Sequence, residues 1–293
     1  MTPPAWWGRP RLPETWFPEA RIMKLGLTLP SFVDDPAIPL AVATAADEAG
    51  LDGIFVYDHL FRRAADGTRR PALESVALLG AVAAATTRIA VGALVFRAWS
   101  RPPQSLASAV ATLSRIAPGR VIAAIGAGDS ESREENETFG LGFGTMTERV
   151  DRLTAGVRAA RDRGARVWVG GQARAVRQVA AREADGWNSW GTDPASFSIQ
   201  ASAVRAESVR ASFECTWGGL VVLGEDDASA QTKAERLGAS AGTIIGGPDA
   251  IARALDEYGR AGADWAILAP VDSRDPENAF RLGNEVKERL APG

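Results

Sequence analysis

Residues 166–190 read RVWVGGQARAVRQVAAREADGWNSW, and this stretch predicts a strand, a helix and a second strand in succession. Val167, Trp168 and Val169 form a short apolar run that is typical of a buried strand. From Ala173 to Glu183 the apolar residues recur at helical spacing, and residues 184–188 return as another strand. A pair of glycines, Gly170-Gly171, therefore falls between the end of a strand and the first turn of a helix.

A pair of glycines in this position has two interpretations. Glycines leave their backbone N–H groups uncovered, and a helix N-terminus carries partial positive charge, so the stretch suits an anion such as a phosphate. Alternatively, the glycines only supply the positive φ that a tight turn needs. We expect the rest of the chain to build a barrel around this strand end.

The composition limits the class of protein. The 293 residues are 46% hydrophobic with a net charge of −3, which suits one large α/β domain or two small ones and gives no case for nucleic acid. Nothing resembles a membrane span or the apolar core of a signal peptide, so we expect a cytoplasmic protein without a membrane partner. The single cysteine, Cys215, excludes an internal disulfide and a cysteine metal cluster.

Strand-like and helix-like runs alternate along most of the chain. Residues 1–21, rich in proline and tryptophan, predict an N-terminal arm that packs on the domain or on a partner chain, followed by a single domain over 22–293. Strands are predicted at 23–29, 53–57, 88–96, 120–125, 166–169, 186–189, 216–223 and 263–268. Helices are predicted at 36–49, 73–85, 102–116, 145–163, 173–183, 194–211, 226–237, 248–261 and 276–290, with a polar loop after Phe61 and a short helix within 130–144.

The eight strands are apolar throughout rather than alternating, as expected when both faces of a parallel sheet are buried. This pattern predicts an α/β fold, a (β/α)8 TIM barrel. The rival fold is a doubly wound open sheet. Its glycine fingerprint is only partly present, because Gly126 and Gly128 follow a strand but no third glycine stands three residues after Gly128. We therefore favour the barrel.

Chemistry in such a barrel is found where the strands end. The ends place Asp58-His59 after the second strand and Gly128-Asp129 after the fourth, near the pair of glycines. His59 is the only histidine, so a paired-histidine metal site is excluded and we expect no metal. Two simpler roles stay open at this stage: a structural hydrogen bond for His59, and a helix cap for Asp129.

Several stretches together resemble the luciferase-like monooxygenase superfamily of flavin and deazaflavin oxidoreductases. They include MKLGLTLPSF, EAGLDGIFVYDHLF, ATTRIAVGALVF, PGRVIAAIGAGDSESREE, VWVGG, AREADGWN and IIGGPDAIARALDEYGRAGADWAIL, in matching order and spacing. Asp58-His59 resembles the branch that uses coenzyme F420, a 5-deazaflavin, whereas members that use reduced FMN more often have Glu-His-His there.

The resemblance implies roles for particular residues. His59 would lie beside the reactive carbon of the ring as proton donor or acceptor, with Asp58 next to it favouring the protonated imidazole. Leu94 and Val95 would form a non-proline cis peptide bond that backs the ring. Asp129 would act as a proton donor in place of the glutamate of some relatives. The remaining cofactor contacts are implied at Gly128, Val169, Gly170, Gly171 and Gln172, the last four around the cofactor's phosphate.

The chain also departs from the family's pattern. Most members have a longer excursion before the fifth strand, whereas here only Gly164 and Ala165 follow the helix. This difference implies a more open site, a more loosely held cofactor, or a cover supplied by the N-terminal arm. Phe61-Arg62-Arg63 stand where relatives that oxidise sugar phosphates have a tryptophan, which argues against that substrate class.

The leading hypothesis is an F420-dependent oxidoreductase that moves a hydride to or from a small organic substrate, as a homodimer. The first alternative is a two-component monooxygenase that uses FMN, and the second is a flavin-binding relative without catalysis.

Overall fold

The computed structural model describes residues 23–63, 67–130 and 132–290. The arm predicted for residues 1–21 lies outside this part of the chain. The strands are β1 Lys24–Thr28, β2 Gly53–Val56, β3 Phe61–Arg63, β4 Arg69–Pro71, β5 Ala90–Arg97, β6 Val121–Gly126, β7 Arg166–Gly170, β8 Gly186–Trp190, β9 Glu214–Leu223, β10 Ile244–Gly246 and β11 Trp265–Pro270.

The helices follow the strands with short connections. They are α1 Ala37–Glu48, α2 Ser75–Ala85, α3 Pro103–Ile116, α4 Ser132–Thr138, α5 Met146–Arg161, α6 Arg174–Glu183, α7 Pro194–Glu207, α8 Asp227–Leu237, α9 Pro248–Arg260 and α10 Glu277–Arg281. Among the described residues, no helix combines the length and the apolar character needed to cross a membrane.

Eight parallel strands close into a barrel. Their order is β1-β2-β5-β6-β7-β8-β9-β11, and β11 pairs with β1 to complete the ring. All these pairings are parallel, so the carboxyl ends of the eight strands meet at one mouth. The predicted TIM barrel is confirmed, and the open-sheet alternative was wrong.

Three local elements differ from the sequence prediction. The polar loop after Phe61 contains an antiparallel hairpin, β3–β4, whose strands carry arginines instead of an apolar alternation. The short strand β10 extends the sheet beside the end of β9. The last helix does not stay α-helical, because Leu282–Val286 form a π turn and Lys287–Arg289 a 3-10 turn.

The barrel interior is filled by aromatic side chains around one buried carboxylate. Trp168 and Trp265 pack edge to face, with 5.4 Å between ring centroids. Their indole N–H groups donate to the two carboxylate oxygens of Glu214 at 3.1 and 3.2 Å, and Arg166 pairs with the same carboxylate. Glu214 begins β9, so this network closes the barrel at the end opposite the mouth.

The connection between α5 and β7 is as short as the sequence indicates. α5 ends at Arg161 and β7 begins at Arg166, so only residues 162–165 join them. The excursion expected of most relatives is therefore missing. Because Arg166 begins β7, this connection lies at the end of the barrel opposite the mouth, and its shortness does not open the mouth.

Close packing inside the barrel depends on Gly92. A Cβ at this position would lie 2.1 Å from the carbonyl oxygen of Ile122 on the neighbouring strand. We predict that Gly92→Ala lowers the free energy of unfolding by about 3 kcal/mol, because backbone atoms must move to admit the methyl group. Urea denaturation followed by circular dichroism measures this change.

Gly80→Ala is the matched control, because Gly80 lies in α2 and a Cβ there meets nothing within 4 Å. This substitution should stabilise the protein by up to about 1 kcal/mol through helix propensity. Equal effects of the two substitutions would contradict the packing described for β5.

Candidate active site

His59 lies at the mouth of the barrel among aromatic rings. It follows β2, and its ring centroid is 6.0 Å from that of Phe32 and 6.4 Å from that of Tyr57. Tyr57 in turn contacts the ring of Trp190, at the end of β8, edge to face at 6.4 Å. We call Phe32, Tyr57, His59 and Trp190 the aromatic wall. The imidazole stays accessible, since 41% of its side chain is exposed.

The aromatic wall is held by hydrogen bonds and by a glycine. The hydroxyl of Tyr57 donates to Thr28 Oγ1 at 3.1 Å, and burial raises the pKa of Tyr57. A Cβ at Gly218 would lie 2.5 Å from the Trp190 ring, so only glycine admits that ring. Gln172 donates through Nε2 to the Trp190 carbonyl at 2.7 Å. Gln172, predicted to contact the phosphate, thus uses this amide group to hold the aromatic wall.

Glu135 is the carboxylate beside the histidine, and the sequence analysis did not identify it. His59 Nδ1 lies 2.9 Å from Glu135 Oε2. The other carboxylate oxygen accepts from the backbone N–H groups of Leu60 and Phe61. Glu135 lies on α4 and only 5% of its side chain is exposed. These contacts fix the orientation of the imidazole ring and the position of the backbone that follows His59.

Arg97 supplies the positive charge that makes the buried carboxylate tolerable. Its Nη1 donates to Glu135 Oε2 at 2.9 Å and to Asn136 Oδ1 at 3.0 Å. Burial alone would raise the pKa of Glu135, but the hydrogen bond from His59 and the charge of Arg97 outweigh it, so the pKa lies below its usual range. Glu135 is therefore ionised at neutral pH and acts only as a hydrogen-bond acceptor.

The structure corrects the expected partnership between Asp58 and His59. Asp58 is 4% exposed and accepts from Ser75 Oγ at 2.6 Å, from the Arg97 backbone N–H at 2.9 Å and from Arg101 Nη1 at 2.7 Å. Burial raises its pKa, but the hydrogen bonds and charge of Arg101 lower it further than burial raises it. Successive side chains of an extended segment point to opposite sides, so Asp58 ties the strand ends together while His59 faces the mouth.

Asp129 serves as a helix cap, the simpler of the two roles that the sequence left open. Its Oδ1 accepts from the N–H and from the hydroxyl of Ser132, both at 3.0 Å, at the start of α4. The preceding Gly128 has a φ of +76°, and its carbonyl accepts from Arg149 Nη1 at 2.6 Å. Asp129 thereby positions the short helix that carries Glu135.

The cis peptide bond expected between Leu94 and Val95 is present. The Val95 side chain lies between two glycines on neighbouring strands. A Cβ at Gly126 would lie 2.6 Å from Val95 Cγ2, and a Cβ at Gly170 would lie 2.4 Å from Val95 Cγ1. Val95 is half-buried, whereas Leu94 belongs to the barrel interior.

The glycine pair is built differently from the expected phosphate loop. Gly171, at φ +134°, donates its N–H to the carbonyl of Asn188 at 3.1 Å, so that donor already serves the sheet. The next helix is the better anion site. α6 begins after Ala173 without a side-chain cap, so the first-turn N–H groups of Arg174 and Ala175 face no capping side chain. This uncapped turn begins at Arg174, shortly after the glycines for which the sequence predicts the phosphate contacts.

A buried glutamate could not be distinguished from its exposed neighbours in the sequence. Glu134 and Glu135 are adjacent in an acidic segment, yet Glu134 pairs with Arg63 and Arg69 at the surface while Glu135 is buried. The available signal was weak: a short helix with acidic residues next to the strand end that carries Asp129. Only the long-range contacts of α4 with His59 and with Arg97 decide which acid is buried.

We predict that neutral His59 carries its proton on Nδ1, because the ionised Glu135 can only accept a hydrogen bond. His59 is the only histidine in the sequence, so ¹⁵N-histidine labelling gives one imidazole when the purification tag lacks histidine. A long-range ¹⁵N–¹H correlation spectrum then reports the tautomer directly. Glu135→Ala should shift the population toward the tautomer with the proton on Nε2.

Glu137→Ala is the control for the tautomer experiment. Glu137 lies on the same helix, half-exposed, and pairs with Arg133. Its substitution should leave the imidazole spectrum unchanged. A wild-type protein whose proton resides on Nε2 would contradict the assigned role of Glu135.

The chain was compared with known proteins. A sequence model described as luciferase-like monooxygenase matches residues 23–282. An F420-dependent glucose-6-phosphate dehydrogenase of Nakamurella multipartita is 38% identical over 40% of this chain and 33% of that protein. The corresponding protein of Gordonia bronchialis is 30% identical over 52% of this chain and 43% of that protein. The matches thus span less than half the length of these relatives.

Solved structures share the fold at low sequence identity. An F420-dependent secondary alcohol dehydrogenase, in complex with an F420-acetone adduct, matches with a TM-score of 0.75 and 15% identity, over 92% of this chain and 98% of the other. A monooxygenase from Streptomyces bottropensis matches with a TM-score of 0.75 and 21% identity, over the same shares. Because the family model covers most of the barrel, the chain belongs to the luciferase-like monooxygenase family.

Proposed function

We propose that this protein is an oxidoreductase that uses coenzyme F420 to move a hydride to or from a small organic substrate. The observation that carries the proposal is the His59–Glu135 pair at the mouth of a barrel of this family. The F420-dependent dehydrogenases that match about 40% of the chain support the choice of coenzyme. The proposal also assigns the exposed imidazole of His59 a role in proton transfer.

The residues around the mouth fit a phosphorylated ring cofactor. The uncapped first turn of α6 offers backbone donors and the positive end of a helix dipole to a phosphate. Val95 between its two glycines and the preceding Leu94 offer an apolar surface for the ring. Gly170 lies between these two places at the end of β7. Val169, Gly128 and Asp129 then act by holding these elements in place rather than through direct contact.

The protein's part in the reaction is to hold a proton at one atom. The coenzyme, when bound, supplies or accepts the hydride. With Nδ1 bonded to Glu135, the Nε2 atom of His59 is left to exchange a proton with a substrate hydroxyl or carbonyl oxygen. In the oxidation of an alcohol, the hydroxyl proton goes to Nε2 while the hydride leaves carbon. A positioned group of this kind contributes about 10²–10⁴-fold in rate.

The alternative is a monooxygenase that uses reduced FMN. The family description and the monooxygenase of the same fold favour this candidate. The matching F420-dependent dehydrogenases, 38% and 37% identical over 40% and 37% of this chain, weigh against it. A binding comparison of the two cofactors separates the candidates. A flavin-binding relative without catalysis would bind one of them and turn over no substrate.

The proposal includes the wider organisation of the protein. We place a single barrel domain at 22–293, preceded by an arm at 1–21, in a cytoplasmic homodimer without a nucleic-acid or membrane partner. The unbroken succession of barrel elements from β1 to α10 supports the single domain. Two exposed apolar side chains, Ile199 on α7 and Val209 in the loop after it, are 73% and 71% exposed and support contact between two copies.

We predict that Ala173→Asp weakens F420 binding at least tenfold while raising the melting temperature. The new carboxylate caps α6, which stabilises the helix by about 1 kcal/mol, and it also repels the phosphate from the same N–H groups. Fluorescence titration gives the dissociation constants, and the wild type should bind F420 more tightly than FMN.

Ala195→Asp provides the control, because Ala195 lies in the first turn of α7, whose cap is Asp193. This substitution places a similar charge at another helix start and should leave F420 binding unchanged. Tighter binding of FMN than of F420 by the wild type would reject the coenzyme assignment. Unchanged F420 binding in Ala173→Asp would reject the phosphate position.

A further inference from the structure

The β3–β4 hairpin carries two opposed pairs of arginines. Arg63 lies directly across from Arg69, and Arg62 lies directly across from Arg70. Like charges directly opposite each other in an antiparallel pair repel, since their Cβ atoms are only about 5 Å apart. A nearby anion would relieve this repulsion in either pair.

One of the two pairs has its anion within the protein. The carboxylate of Glu134 binds Arg63 and accepts from Arg69 Nη2 at 2.8 Å. The hydrogen bonds from these two arginines hold the pKa of Glu134 below its usual range, so the carboxylate is ionised. Arg63 and Arg69 thus show that two opposed arginines of this hairpin can bind one carboxylate between them.

The other pair, Arg62 and Arg70, has no such anion in the part of the chain that the structure describes. Within residues 23–63, 67–130 and 132–290, neither Arg62 nor Arg70 forms an ion pair with an acidic side chain. Both side chains are exposed. Because neighbouring residues on a strand point to opposite faces, this pair lies on the face of the hairpin away from Glu134.

Arg62 faces the mouth of the barrel. Its guanidinium carbon lies 5.9 Å from the ring centroid of Phe32, which is itself 6.0 Å from the ring of His59. Its charge also acts on the wall: burial raises the pKa of Tyr57, and the charge of Arg62 partly opposes that rise. The cation is therefore close to the place where a substrate would meet His59.

The backbone that leads into Arg62 is held by hydrogen bonds. The N–H groups of Leu60 and Phe61 donate to Glu135, and the Leu60 carbonyl accepts from the N–H of Ala72 at 3.1 Å. The same carboxylate thus sets the position of the imidazole and the start of the hairpin. A fixed distance between a cation pair and an acid–base group is what recognition of a small charged substrate requires.

We infer that Arg62 and Arg70 bind the carboxylate of a small hydroxy or keto acid whose reacting carbon faces His59. This inference rests on the proposed function and names the substrate class of that site. In the oxidation direction the hydroxyl proton passes to His59 Nε2, the hydride passes to the coenzyme, and the keto acid leaves. The two arginines stay charged and hold the carboxylate by charge-assisted hydrogen bonds.

The test uses the imidazole signal of the single histidine as a probe of the mouth. A series of 2-hydroxy acids with two to six carbons is titrated into ¹⁵N-histidine-labelled protein, with and without F420. Each acid is paired with its uncharged primary amide. At least one acid should perturb the signal at a concentration about tenfold lower than its amide, and added salt should weaken the effect.

Two variants and one control complete the test. Arg62→Gln and Arg70→Gln should each remove most of the preference for the acid over the amide. Arg133→Gln is the control: Arg133 is an exposed arginine on α4 that pairs with Glu137, and its loss should leave the preference intact. F420 affinity is measured on the same samples and should stay within threefold of wild type.

The inference is overturned when no acid is preferred over its amide, when Arg62→Gln keeps the preference, or when Arg133→Gln removes it equally. A stronger response to glycerol 3-phosphate than to every carboxylic acid would also overturn it, since the ligand would then be a phosphate. A wild type that fails to bind F420 but still prefers acids would reject the proposed coenzyme and leave the anion site standing.

Discussion

The buried carboxylate of Glu135 is the interaction on which the mouth of the barrel depends. It accepts hydrogen bonds from the imidazole after β2, from two backbone groups at the start of the β3–β4 hairpin and from Arg97 at the end of β5. Burying a carboxylate costs several kcal/mol unless its oxygens are fully used, so these partners must come together in one arrangement. The orientation of His59 and the placement of the hairpin therefore follow from a single buried charge.

The sequence was sufficient to predict the barrel, because eight apolar strands alternate with helices and parallel strands must be covered on both faces. It also located His59, since strand ends can be read directly from the pattern. It could not predict the partner of His59, because Asp58 and Glu135 are both plausible acids and only the long-range contacts of α4 with His59 and Arg97 select between them. The hydrogen bond from Arg101 to Asp58 likewise could not be predicted from local sequence, because the two residues lie 43 positions apart.

The charge of the mouth differs from that of the whole chain. Three acidic side chains there already have internal partners: Asp58 binds Arg101, Glu135 binds His59 and Arg97, and Glu134 binds Arg63 and Arg69. What faces outward is the first turn of α6 and the pair of Arg62 and Arg70. A protein with a net charge of −3 thus presents positive potential where the coenzyme and substrate are proposed to bind.

The central claim is that a deazaflavin binds in this mouth with its ring beside His59 and its phosphate at α6. A crystal structure of the protein grown with F420 tests it most directly. The account predicts the ring against Val95, within hydrogen-bonding or van der Waals reach of the imidazole, and the phosphate on the N–H groups of the first turn of α6. A phosphate bound away from α6, or a ring that does not approach His59, would contradict the account.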